Sequence, residues 1–110
     1  MRADFFMYRE GKSFKRWEDG GEPETCYTLD VPEVTPEEVE EEGAAEVVSR
    51  LLGMAWEGGM PKGSQRTGCF QIQTDVGIFS STTRGRFNPA KPDTIVFKTW
   101  EQVEAEEAGV

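Results

Sequence analysis

Three features of the sequence predict an α+β fold: one antiparallel sheet of about five strands, a long helix packed on one face, and a short C-terminal helix. The first is a capped, apolar-striped segment from Thr35 to Gly58. The second is a set of period-two segments on both sides of it. The third is a second capping signal at Thr99, followed by a short acidic run. A chain of 110 residues is expected to form one domain, spanning 1–110. At that length a chain buries roughly 65% of the surface its unfolded form exposes, enough for a core without metals or disulfides.

In chain order, Asp4 to Arg9 reads as a strand, with Phe5 and Met7 on one face and Phe6 and Tyr8 on the other. Gly11-Lys12-Ser13 supplies a turn, and Phe14 to Trp17 suggests a short second strand. Asp19 to Pro23 has loop composition. From Thr25 to Val31 the side chains alternate, with Thr25, Tyr27, Leu29 and Val31 on one side and Cys26, Thr28 and Asp30 on the other. Pro32 ends that strand.

Thr35 then serves as an N-cap, with Pro36 at the first helical position. Glu38 completes a capping box, and Val34 with Val39 has the spacing of a hydrophobic staple. Val39, Ala44, Val47, Val48, Leu51, Leu52, Ala55 and Trp56 are read as one apolar stripe. Glu37, Glu40, Glu41, Glu42, Glu46 and Arg50 fall on the other face. Gly58-Gly59 stops the helix, and Met60 to Thr67 is expected to be an exposed loop.

Cys69 to Thr74 and Ile78 to Thr83 form an expected hairpin around Asp75-Val76-Gly77. Arg84 to Asp93 reads as a basic loop region, and Thr94 to Thr99 as a last strand. Trp100 to Glu107 follows as a short helix with Thr99 as N-cap and Gln102 as its box partner. The sheet face turned away from the helix should be mostly polar, collecting Cys26, Thr28, Cys69, Gln71, Gln73 and Lys98, with Phe6 or Tyr8.

The net charge of −9 is unevenly distributed. Residues 31–60 hold eight acidic groups and one basic; residues 100–110 hold four acidic and none basic; residues 61–99 hold six basic and two acidic. No apolar run approaches the roughly 20 residues of a membrane helix. The start, Met1 to Arg9, is too short and charged for a secretion signal, so a cytoplasmic protein is the expectation.

The chain contains no histidine, which removes Ser-His and Cys-His dyads and the usual neutral-pH base. With two cysteines and no histidine, a four-ligand structural zinc site is excluded within one chain, and no metal or cofactor is expected. Cys26 and Cys69 are read as buried free thiols. A thiol at Cys69 activated by Arg66, and acid–base work among the helix glutamates, are the remaining enzymatic readings. Gly63-x-x-x-x-Gly68 precedes Cys69 rather than Lys-Ser or Lys-Thr, so it is no phosphate loop.

The leading functional expectation is a small, non-catalytic, acidic module that binds a protein with a basic surface. Glu37, Glu40, Glu41, Glu42, Glu101 and Glu104 carry it, by electrostatic steering followed by a packed contact that uses exposed aromatics. One form of it is an inhibitor acting as a nucleic-acid mimic, of the kind found among phage and mobile-element proteins. The alternative is a nucleic-acid binder using Lys62, Arg66, Arg84, Arg86 and Lys91, with Phe87 as a stacking ring. A third reading is a histidine-independent enzyme.

Overall fold

The computed structural model describes residues 1–8, 25–61, 69–81 and 95–108. They form one five-stranded antiparallel sheet and three helices. The strands are β1 (Arg2–Tyr8), β2 (Thr25–Asp30), β3 (Cys69–Thr74), β4 (Gly77–Ser81) and β5 (Ile95–Thr99), in the spatial order β2-β1-β3-β4-β5. The helices are α1 (Pro36–Glu42), α2 (Ala44–Gly58) and α3 (Trp100–Ala108). The α+β architecture expected from the sequence is therefore present. The expected strand at Phe14–Trp17 and the basic loops lie outside the described residues.

Register explains which side chains meet. Across the inner face, Tyr27, Phe5, Ile72, Phe79 and Phe97 occupy one row, each opposite its neighbour. Phe5, Ile72 and Phe79 are fully buried, and the Phe79 and Phe97 rings lie 4.6 Å apart. Val47, Val48, Leu51, Leu52 and Ala55 of α2 cover this face. The Met1 ammonium donates to the Val31 carbonyl at 2.7 Å and the Val31 amide donates back to the Met1 carbonyl at 2.8 Å, closing the β1–β2 end.

The helix read as a single stretch is broken at Gly43, which has φ 91° and ψ 140°. The reason is helical phase. At about 100° per residue, Val39 lies roughly half a turn away from the centre of the Ala45–Val48–Leu52–Ala55 stripe. An unbroken helix would bury one set and expose the other. The break at a residue without Cβ lets both face the core: Val39 is 5% exposed and Val48 0%. It also changes the stripe, because Ala45 is buried while Ala44 is half-buried. Only half of the expected capping box forms at α1: the Glu38 amide donates to Thr35 Oγ1 at 3.2 Å.

Met60 is not loop surface, as expected, but core. Its amide donates to the Ala55 carbonyl at 2.9 Å and the Gly59 amide to the Trp56 carbonyl at 3.3 Å, the Schellman pattern around Gly59 at φ 122°. That motif turns the following residue back onto the helix, and Met60 is accordingly 2% exposed.

The outer sheet face carries two rows: Cys26, Phe6, Gln71, Ser80 and Val96, then Thr28, Asp4, Gln73, Ile78 and Lys98. It is mostly polar, but not uniformly solvated. Gln71 and Ile78 are both buried, at 2% and 8% exposure. Cys26, expected to be buried, is exposed: it lies on the outer face of β2, the edge strand, which among the described residues has β1 as its one neighbour in the sheet.

Candidate partner-binding surface

The acidic surface starts from the way α1 is anchored. Val39 is the only buried residue of the helix, and Val31 and Val34 pin the chain just before it. With one side held by a single valine, Glu37, Glu40, Glu41 and Glu42 are all left exposed. Glu37 and Glu38 sit in the first turn, where carboxylates favour the positive end of the helix dipole.

Glu42 stands apart from the other three. Arg50 of α2 donates to its two oxygens at 2.8 and 3.4 Å. This hydrogen-bonded pairing holds the Glu42 carboxyl below its ordinary value and the Arg50 guanidinium above its own. The fields of Glu38 and Glu46 add to the rise at Arg50. In a continuous helix, residues eight apart are about 12 Å apart along the axis. The break at Gly43 brings this pair together, so sequence spacing carried no signal of it.

Glu101 and Glu104 are also exposed, but on α3. The neighbour of α1 is α2, whereas α3 packs on β5. The six carboxylates thus lie on two elements, four on α1 and two on α3. Of the alternative basic set, Lys62, Arg66, Arg84, Arg86 and Lys91 all lie outside the described residues, as does Phe87. The arginine partner considered for Cys69 lies there too.

The described residues contain three basic side chains, and each is ion-paired. Arg2 meets Asp4 at 3.1 Å, Arg50 meets Glu42 at 2.8 Å and Lys98 meets Glu106 at 2.8 Å. No group of three or more Cys, Asp or Glu among the described residues is arranged to hold a metal ion. No helix among them is long and apolar enough to cross a membrane. Among the described residues, two buried side-chain polar atoms have no hydrogen-bond partner, Trp56 Nε1 and Gln71 Nε2. Sequence pattern sets Trp56 on the apolar stripe and Gln71 on the polar outer face, and neither pattern marks an unpaired buried nitrogen. Gln71 does accept one bond, from Gln73 Nε2 at 2.9 Å.

Compared with known proteins, the chain matches no family model, no curated protein and no solved structure.

Proposed function

We propose that this protein is a non-catalytic binding module that offers the acidic face of α1 to a basic surface on another protein. The supporting observation is the charge pairing: every basic side chain among the described residues is already bound to a carboxylate, while Glu37, Glu40 and Glu41 remain exposed and without an ion pair. Such a surface repels phosphate and attracts cations, which speeds encounter with a basic partner. A protein that handles nucleic acid presents that kind of surface, so inhibition by mimicry of a nucleic acid is the specific form proposed.

The test reverses Glu37, Glu40 and Glu41 to Lys, leaving Glu42 to its bond with Arg50. Partners are captured from the native host by parent and variant, alongside a mobility shift with single- and double-stranded oligonucleotides. The expected result is a partner that the variant loses, a parent association that weakens with salt, and no oligonucleotide shift. Oligonucleotide binding by the parent that is abolished by Arg84→Ala with Arg86→Ala would replace this reading with the nucleic-acid one.

A further inference from the structure

We infer that α3 is a strap latched by charge, which opens by local unfolding while the sheet and α2 stay folded. No residue of α3 is buried; Val103 alone is half-buried and the rest of the helix is exposed. A helix of nine residues is too short to hold itself in water, so its anchors decide whether it forms. Three are present. Thr99 and Gln102 close a full capping box, with the Gln102 amide donating to Thr99 Oγ1 at 3.2 Å and the Thr99 amide donating to Gln102 Oε1 at 2.9 Å. Trp100 Nε1 donates to the Thr74 carbonyl at 2.7 Å across the β3–β4 turn. Lys98 of β5 bridges to Glu106, two turns along the helix.

An open groove of about 420 Å³ runs along α3 and β5, lined by Val96, Phe97, Lys98, Gln102, Ala105 and Glu106. The first two anchors hold only the start of α3. The remote end depends on the Lys98–Glu106 pair, which is exposed at 42% and 61% and so is open to screening by salt. Opening bares the outward side of β5, where Val96 and Lys98 sit beside Ser80 and Ile78 of β4. The strap is independent of the partner-binding proposal, since it opens in a protein that binds nothing.

Hydrogen exchange followed by mass spectrometry tests this on the full chain. Amides of α3 are expected to exchange far faster than those of α2 and β3. Lys98→Met keeps the aliphatic stem and removes the charge. It should speed exchange in the second half of α3 by about twofold to fivefold, the range of an exposed ion pair, and leave β3 unchanged. Raising salt should do the same to the parent and nothing further to the variant. Protection of α3 equal to that of α2 would overturn the strap. Fast exchange that ignores both salt and Lys98→Met would overturn the charge latch.

Discussion

At the scale of single residues, Gly77 shows how one missing Cβ sets the hairpin. Its φ is 157°, and a Cβ built there would stand 2.2 Å from the Lys98 carbonyl oxygen of the neighbouring strand. Two strands can approach only because that position is empty. Thr74 completes the turn: its Oγ1 donates to the Gly77 carbonyl at 3.0 Å and accepts from the Val76 amide at 3.3 Å. Gly77→Ala therefore has to push β5 away, and should destabilise by more than about 1 kcal/mol. For a chain of this size that is a fall of about 4–8 °C or more in thermal midpoint, readable by circular dichroism. A midpoint unchanged from the parent would show that the β4–β5 approach tolerates a methyl group.

At the scale of elements, α2 is the stability element and α1 is its attached acidic arm. Leu51 and Leu52 are each 1% exposed and face the sheet. Truncating a buried leucine costs about 2–5 kcal/mol, so Leu51→Ala and Leu52→Ala should each lower the denaturation midpoint markedly. Chemical denaturation checks this, and parent-like midpoints in both would mean that the stripe carries no core. The same measurement on Val39→Ala should show a smaller loss, because fewer buried atoms are removed and α1 has no other buried residue.

For the molecule as a whole, strand order decides the state of the thiols. Cys26 lies on β2 and Cys69 on β3, with β1 between them. Two strand spacings are about 9–10 Å, beyond the roughly 7 Å over which Cα atoms can be bridged. Alkylation of the unfolded, unreduced protein should count two free thiols by mass. In the native protein Cys26 should react readily, since it is exposed. An intramolecular disulfide would contradict the strand order.

By itself, the sequence determined the element types and most of the core. Alternation in β1 and β2, the N-cap at Thr35, the turn at Asp75–Gly77 and the box at Thr99–Gln102 are local signals, encoded within a few residues and legible there. The exposed acidic positions of α1 and α3 were legible for the same reason. Tertiary structure alone decided what depends on distant partners. Strand order separated the two cysteines, and the two-sided demand of the core broke the helix at Gly43 and so joined Glu42 to Arg50. Gln71 shows the limit most clearly. Alternation placed it correctly on the outer face, yet it is buried, because alternation assigns a side chain to a face and only packing determines whether water reaches it.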